Sequence, residues 1–436
     1  MKKSILAVLA IAFATSAFAQ KANVKKVQRM LDYSSTPIQI DLSNLEPEKL
    51  EEMKQLIGEA LTNPETAEYY KTWEYEGRLK VHEKNVIMKP YIANGNNFTG
   101  KDHMKQFFQN EADIVNAYSK YFDLITTPDD RGKLPLKEEE LAKEKMLAQT
   151  IALPSRTNLF VGATQFVYED PQFATKMLEA YYKSFDAALF ADQDLKNTDP
   201  YYKESAYIYA TALKATGGDQ QKVLELLNQS LTTQNGPMAC QDLITYYKEK
   251  NDHANEMKYL KYAFDNYPSI LVFGVQYAER ILQNADNPNR YPETIEACDV
   301  LIKRLNDGTI KKVDDNGNPV DDSNNYLVYH YKALSQFNSN QYMDAFNTFV
   351  EGDKACPGHI ELVCGAGQSA AKYANDNFND KAVCNPMFLK AIEYFKQAEA
   401  TWPDRSDQWG YSLYVCYNNL DDQVNKAKYK KYAEQP

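Results

Sequence analysis

Glycine-rich and acidic stretches are the parts of this 436-residue sequence that could carry chemistry. Gly365-Ala366-Gly367-Gln368-Ser369-Ala370 is a GxGxxA string that follows the apolar run Ile360–Cys364. In a dinucleotide-binding fold, such a string cradles phosphates between a strand and a helix. The segment NDNFNDKAVCNP that comes next has the composition of a loop, whereas that fold requires a second strand ending in an acidic residue. We therefore interpret the small residues as ones that let a helix approach its neighbour closely.

An acidic segment, Asp314–Asp322, resembles a calcium-binding loop in composition. Its carboxylates do not occupy the alternate positions of an EF-hand loop, and no Glu closes it. We favour a turn at Asn316-Gly317 that follows a short strand at Ile310–Val313. Adventitious calcium binding is the alternative.

The histidines and carboxylates form no recognisable catalytic motif. The sequence contains neither HExxH nor GxSxG. The five histidines are scattered along the chain: His82, His103, His253, His330 and His359. We therefore expect no catalysis, no cofactor and no metal site, although an active site between helices is a rival hypothesis.

All six cysteines lie in the second half of the chain: Cys240, Cys298, Cys356, Cys364, Cys384 and Cys416. An even number in an oxidising compartment permits disulfides, and Cys356 and Cys364 flank a short turn. The alternative is that the cysteines are small buried residues at packing positions. No CxxC pair is present, which argues against zinc.

The amino terminus has the pattern of a secretory signal. Lys2 and Lys3 precede an apolar run, and Ala17-Phe18-Ala19 is a small-x-small cleavage site. We predict a signal peptide at 1–19 with cleavage after Ala19, and a periplasmic or secreted protein of a Gram-negative-type bacterium. Gln20 stands where a lipid anchor would need Cys. We expect no integral membrane segment in the mature chain, because no later run is apolar enough.

Composition indicates a folded protein that does not bind nucleic acid. Hydrophobic residues make up 44% and charged residues 25%, which are globular values. The net charge of -11 argues against nucleic acid and anionic lipid surfaces, both of which attract basic patches. The 32 tyrosines suit helix packing in which the ring is buried and the hydroxyl reaches water.

Tyr326–Pro357 is the clearest structural unit and reads as two amphipathic helices joined by a polar turn. Apolar and small residues recur at helical spacing in both halves, and Pro357 ends the second. The positions that carry the pattern are Tyr329, Ala333, Phe337, Ala345, Phe349 and Gly352.

This pattern of large, small and aromatic residues resembles the tetratricopeptide repeat (TPR), and the chain as a whole resembles secreted bacterial TPR proteins. The resemblance implies an all-α fold, an α-α superhelix or solenoid of antiparallel helix hairpins. We predict degenerate repeats at 20–153 and a regular array at 154–436. In the first part we expect helices at Leu45–Leu61, Ala67–His82, Met104–Ile125 and Leu136–Leu153, with an irregular insert at Val86–Lys101. In the array we expect, among others, helices at Leu159–Tyr168 and Pro386–Thr401.

The resemblance also implies a function, that of an exported scaffold that binds a protein or peptide in its concave groove. Mapping the family's groove positions onto three hairpins selects nine residues: Tyr207, Thr211, Lys214, Gln241, Thr245, Lys248, His330, Leu334 and Phe337. A glycan-binding protein of the cell envelope is the alternative, because secreted helical-repeat proteins capture sugars and tyrosine is abundant here. A helical enzyme is the third hypothesis.

Overall fold

The structure is a computed structural model that describes residues 21–30, 46–311 and 324–434. Within these ranges every regular element is a helix and none is a strand. The predicted signal peptide, the acidic segment Asp314–Asp322 and the end of the strand expected at Ile310–Val313 lie outside them. None of the described helices is both long enough and apolar enough to cross a membrane.

The chain divides into two compact units, Met1–Ala239 and Cys240–Pro436. Unit 1 contains α1 (21–30), α2 (Pro47–Thr62), α3 (Pro64–Ala67), α4 (Tyr70–Ala93), α5 (Lys101–Thr126), α6 (Glu138–Phe166), α7 (Pro171–Ser184), a 3-10 turn (Ala188–Phe190), α8 (Leu195–Thr198), α9 (Tyr202–Thr216) and α10 (Gln220–Ser230). Helix α11 (Gly236–Glu249) contains the division. Unit 2 continues with α12 (His253–Asn266), α13 (Leu271–Gln283), α14 (Arg290–Asn306), α15 (Asn325–Asn338), α16 (Tyr342–Ala355), α17 (Ile360–Asp376), α18 (Lys381–Thr401), α19 (Ser406–Asn419) and α20 (Gln423–Ala433).

Each unit is built from helix hairpins whose neighbours stack on one another. Consecutive helices pack together across short turns, which makes them antiparallel. Alternate helices also touch, so that α13, α15, α17 and α19 form one layer of unit 2, and α5, α7 and α9 form one layer of unit 1. This arrangement confirms the predicted all-α fold of TPR-like hairpins.

Glycines mark the closest helix-helix contacts. A Cβ placed on Gly352 would lie 2.7 Å from Cβ of Tyr329, which joins the two helices of the hairpin predicted at Tyr326–Pro357. In the GxGxxA string, a Cβ on Gly365 would lie 2.5 Å from the Phe349 ring, and one on Gly367 would lie 2.9 Å from the Phe395 ring. The string is helical, within α17. Its small residues therefore serve helix packing, as the sequence suggested.

The insert expected at Val86–Lys101 is mostly helical, and that prediction was wrong. Helix α4 continues to Ala93 and contains Pro90 in its last turn. Pro90 removes the backbone hydrogen bond to the carbonyl four residues earlier, and α4 ends within one turn of it. Only residues 94–100 separate α4 from α5.

The helix break expected after Leu153 is also absent. Helix α6 runs unbroken through Pro154, with Ala152 buried on one side of the proline and Leu159 on the other. Packing against α5 and α7 along both halves holds the helix together despite the missing N–H. Likewise α18 begins at Lys381, five positions before the start expected at Pro386, and the Asp380 side chain caps its first turn.

The cysteines behave as packing residues. Cys240, Cys298, Cys364, Cys384 and Cys416 are buried free thiols, so the Cys356–Cys364 disulfide singled out above is not formed. Burial raises the pKa of the Cys240 thiol to about 12. The Cys240 thiol is therefore protonated and unreactive at neutral pH.

A buried arginine anchors the segment between α7 and α9. The Arg156 side chain on α6 is 2% exposed, donates from Nε to Ser184 Oγ at 2.7 Å, and pairs with Asp199. Its guanidinium lies 4.1 Å from the centre of the Phe185 ring. The Tyr181 hydroxyl donates to the same Asp199 carboxylate at 2.7 Å. These bonds hold Asp199, in the link between α8 and α9, against α6 and α7.

Candidate binding groove

Helix α5 is the central helix of unit 1 and is buried on most of its circumference. Twelve of its 26 residues are buried, because α4, α6 and α7 all pack against it. One polar stripe at helical spacing is left: Lys105, Gln109, Asp113, Asn116, Lys120 and Asp123. We call this stripe, with the flanking sides of α4 and α7, the α5 groove. A cleft lies at each end of it.

The first cleft encloses about 720 Å³ beside the amino-terminal half of α5. Helices α2, α4 and α5 form its walls, and Phe173 at the start of α7 contributes a ring. Its lining combines aliphatic side chains, three primary amides and charged groups: Leu50, Glu51, Lys54, His82, Glu83, Val86, Ile87, Lys105, Gln106, Gln109, Asn110, Asp113 and Phe173. This mixture is typical of a site that combines an apolar pocket with a few orienting polar groups.

The charges of the first cleft are paired with one another. Lys80 Nζ lies 3.0 Å from Glu83 and 3.6 Å from Asp113, and Lys54 Nζ lies 3.7 Å from Glu83. Burial lowers the pKa of Lys80, but the hydrogen bond to Glu83 and the surrounding carboxylates outweigh it and raise that pKa. Burial raises the pKa of Glu76, whose carboxylate is 3.7 Å from the same Lys80. The carboxylates here are thus held as ion pairs around one ammonium group.

The second cleft encloses about 620 Å³ beside the carboxyl-terminal half of α5, where Trp73, Lys120, Asp123 and Lys183 are among its lining residues. The Trp73 indole donates to the Ala67 carbonyl at 2.7 Å, which fixes the ring. Burial raises the pKa of Asp123, and the nearby Lys120 and Lys183 oppose that shift. Two lysines and a fixed indole therefore face this end of the groove.

The groove offers carboxylates but no group of metal ligands. Within the described ranges, no set of three or more His, Cys, Asp and Glu side chains is placed to hold a metal ion. Glu83 and Asp113, the carboxylates that approach each other, share Lys80.

The sequence-predicted residues of α9 share one side of that helix in the same layer as α5 and α7. Tyr207 and Thr211 are half-buried, and Lys214 is exposed. The Thr211 hydroxyl donates to the Tyr207 carbonyl at 2.9 Å, so it is already satisfied within α9. Whether these side chains bind a partner stays a prediction.

The other six predicted residues lie on α11 and α15 of unit 2. Thr245 donates to the Gln241 carbonyl at 2.8 Å, and Lys248 continues the same exposed side of α11. On α15, His330, Leu334 and Phe337 are half-buried, and the Phe337 ring packs edge-on against Tyr342 at 5.1 Å. Burial lowers the pKa of His330. Part of this set therefore serves packing within the hairpin.

Sequence reasoning missed the α5 groove because it considered only the inward face of α5. The sequence does contain a signal for the groove, in the polar residues that lie between the apolar ones along α5. The polar residues of the stripe recur every three or four positions between buried aromatic residues such as Phe108 and Phe122. The contribution of α2 to the first cleft has no signal in the sequence, since it depends on how far α2 reaches along α4.

The geometry defines an all-α protein of stacked helix hairpins with an open groove. No protein-family model matches the chain, and no curated protein matches it. Among solved structures, the chain is similar to the TPR domain of P58(IPK), with 11% identity, a TM-score of 0.26, and coverage of 93% of this chain and 99% of that one. It is also similar to yeast Tom70, with 12% identity, a TM-score of 0.31, and coverage of 98% and 99%. Because both TM-scores are this low, the two similarities carry no argument about function. The function proposed below rests on the geometry of the α5 groove.

Proposed function

We propose that this chain is an exported, non-catalytic scaffold that binds a protein or peptide through the α5 groove and the adjoining faces of α7 and α9. The observation that carries the proposal is the groove itself. It combines one continuous polar stripe with a cleft at each end, and the open face includes both apolar and charged side chains. A stripe of alternating hydrogen-bonding groups beside apolar pockets suits an elongated ligand with side chains of its own.

The non-catalytic part of the proposal is supported by the state of the carboxylates. In the first cleft, Glu83 and Asp113 both lie within 4 Å of Lys80, and Glu83 also lies 3.7 Å from Lys54. In unit 2 the buried Glu256 is likewise paired, with Arg280 at 2.7 Å. Carboxylates held in ion pairs serve structure more readily than proton transfer.

The exported part of the proposal rests on the sequence pattern of residues 1–19. Expression of the full chain in a Gram-negative host, followed by fractionation and intact mass measurement, tests it. We expect a periplasmic or released product that begins at Gln20. A cytosolic product that retains Met1 would contradict export and would leave the binding proposal unaffected.

Site-directed photo-cross-linking tests the binding proposal. A photoreactive phenylalanine at Asn116, on the floor of the groove, or at Thr211 on α9 should capture the same partner protein. The control position is Glu225, an exposed residue of α10 in the other layer of unit 1. Equal capture at all three positions, or at none, would contradict the proposal. Titration with oligosaccharides tests the glycan alternative. Oligosaccharide binding that is abolished when exposed tyrosines are replaced would support that alternative.

A further inference from the structure

From the last helix of unit 2 we infer a second interaction surface, which binds a short acidic segment of a partner protein. The surface consists of the outward side of α20 and an exposed tyrosine pair on α19, and it shares no residue with the α5 groove. Four observations carry the inference: lysines with uncharged neighbours, a firm attachment of α20, an adjoining aromatic pair, and acidic residues at both ends of the helix.

The first observation is the charge of α20. The helix contains four lysines and no acidic residue, whereas the whole chain has 60 acidic and 49 basic residues. Lys430 pairs with Glu434 at 3.1 Å. Within the described part of the chain, the ammonium groups of the other three lie beside an amide or an aromatic ring instead of a carboxylate: Lys426, Lys428 and Lys431. These charges can therefore pair with the carboxylates of a partner.

The lysines surround a small residue on the outward side of the helix. Ala427 is exposed and, at about 100° per residue, lies almost opposite the buried Tyr429. Two lysines flank it in the sequence and two lie one turn further on: Lys426, Lys428, Lys430 and Lys431. A partner segment can therefore approach the helix closely at Ala427, with ammonium groups on either side.

The second observation is that the opposite side of α20 is firmly packed. The Tyr432 ring lies 5.5 Å from the Trp409 ring, measured between centres, and a Cβ on Gly410 would lie 2.7 Å from Cγ of Tyr432. The Tyr429 ring stacks on Tyr417 at 5.7 Å. The lysines are therefore attached to a fixed backbone, which reduces the conformational entropy lost when a partner binds.

The third observation is an exposed aromatic pair beside the lysines. Tyr411 on α19 is 58% exposed, and its ring stacks with Tyr414 at 6.3 Å between centres. The Lys426 Nζ atom lies 5.6 Å from the centre of the Tyr414 ring, so the aromatic pair adjoins the basic side of α20. Exposed ion pairs contribute little by themselves, so a specific partner also needs apolar contact. Tyrosine supplies such contact at many protein interfaces.

The fourth observation limits the length of the ligand. Asp421 and Asp422 immediately precede α20, and Glu434 follows it. The 11 residues of the helix span about 16 Å. A nucleic acid, an acidic polysaccharide or an anionic membrane would extend past the lysines and meet these carboxylates at both ends. A protein segment with a few carboxylates beside one aromatic residue would not.

Fluorescence anisotropy with the full chain tests the class of ligand. The probe is the peptide Gly-Glu-Glu-Phe-Glu-Glu-Gly-amide with an uncharged fluorophore at its amino end. One matched control replaces every Glu with Gln, and the other replaces Phe with Gly. We expect saturable binding of the Glu peptide, at least about tenfold weaker binding of the Gln peptide, and weaker binding of the Gly peptide. A change from about 50 to about 500 mM salt should weaken binding of the Glu peptide at least about tenfold, because the charges are exposed.

Two variants test the residues. Lys428→Gln with Lys431→Gln should weaken binding of the Glu peptide at least about tenfold, with no change in the unfolding midpoint because both side chains are exposed. The matched control, Lys303→Gln with Lys354→Gln, removes the same charge from exposed positions on α14 and α16 and should leave binding within about twofold. Tyr411→Ser should weaken binding of the original Glu peptide and leave binding of the Gly peptide unchanged.

The inference is overturned if the Glu peptide binds no more tightly than the Gln peptide, or if the α20 lysine variant binds it as tightly as the control variant does. Vesicles of phosphatidylglycerol and the polysaccharide polygalacturonate test the other anionic partners. If either binds more tightly than the Glu peptide and loses binding in the α20 lysine variant, a short protein segment is the wrong ligand and the inference is likewise overturned. The α5 groove in unit 1 is tested separately by cross-linking from Asn116 and Thr211, so these results leave that proposal unaffected.

Discussion

Replacing Gly162 with alanine should destabilise unit 1, although alanine is the better helix former. Gly162 lies on α6 against the Phe108 ring of α5. A Cβ there would be 2.6 Å from Cγ and 3.0 Å from Cβ of Phe108. The overlap is at the root of the side chain, which cannot rotate away without moving the α5 backbone. Phe108 is 4% exposed, so its ring has no free space to enter.

The magnitude follows from two opposing effects. Overpacking a close contact costs about 1–3 kcal/mol. Replacing glycine in a helix gains about 0.5–1 kcal/mol. We therefore expect Gly162→Ala to lower the free energy of unfolding by about 0.5–2 kcal/mol. The matched control is Gly58→Ala in α2 of the same unit, where an added Cβ meets no atom within 4 Å. That variant should gain about 0.5–1 kcal/mol.

Urea unfolding followed by circular dichroism measures both variants, and the opposite signs of the two shifts are the diagnostic result. If Gly162→Ala is as stable as the original chain while Gly58→Ala is more stable, the α5–α6 contact is looser than the structure describes, and the reasoning fails. A second substitution, Phe108→Ala, removes the Cγ and Cδ1 atoms of the overlap and should therefore cost less in the Gly162→Ala background than in the Gly58→Ala background.

Two further predictions concern buried groups. Arg156→Met leaves the Asp199 carboxylate without its buried partner and should cost about 3–5 kcal/mol of unfolding free energy. The double variant Arg156→Met with Asp199→Leu should cost less, and a double loss equal to the sum of the two single losses would show that the pair is not coupled. Burial raises the pKa of the Cys240, Cys298, Cys364 and Cys416 thiols from 9.0 to about 12. The unfolded chain loses these protons first, so their contribution to stability is complete below pH 9 and is lost as the pH rises from 9 to about 12. Equilibrium unfolding across that range should show the decline, which is smaller in a Cys298→Ala variant; a stability that does not fall there would contradict the burial of these thiols.

The helices themselves could be predicted from the sequence because their apolar faces recur at 3.6-residue spacing. The hairpin predicted at Tyr326–Pro357 appears as α15 and α16, with Ala333 and Ala345 fully buried between them. Met104–Ile125 falls within α5. In these segments the local preference and the packing agree, so the local pattern suffices.

Proline shows where the local pattern does not suffice. Pro154 and Pro386 both lie inside helices whose continuation was not expected. A proline in a helix costs about 3 kcal/mol locally, and that cost is visible in the sequence. The compensating burial of residues such as Ala148 and Leu159 against other helices is not visible, because it depends on partners far along the chain.

The candidate site was less predictable than the fold for the same reason. The nine residues taken from the family pattern lie on α9, α11 and α15. The first cleft instead joins side chains of α2, α4, α5 and α7. Leu50 and Phe173 stand more than 100 positions apart in the sequence, and no periodic pattern within one helix relates them.

Uneven helix length explains why these clefts form in unit 1. Helices α4, α5 and α6 have 24, 26 and 29 residues, while the helices that pack beside them, α2 and α7, have 16 and 14. A long helix beside a short one keeps part of its side uncovered, and side chains such as Val86 remain exposed there. In unit 2 the hairpin α15–α16 has two helices of 14 residues, so each can cover the other along its full length. Departure from the regular repeat therefore creates open, partly apolar surface, and a search for the partner should begin at these long helices.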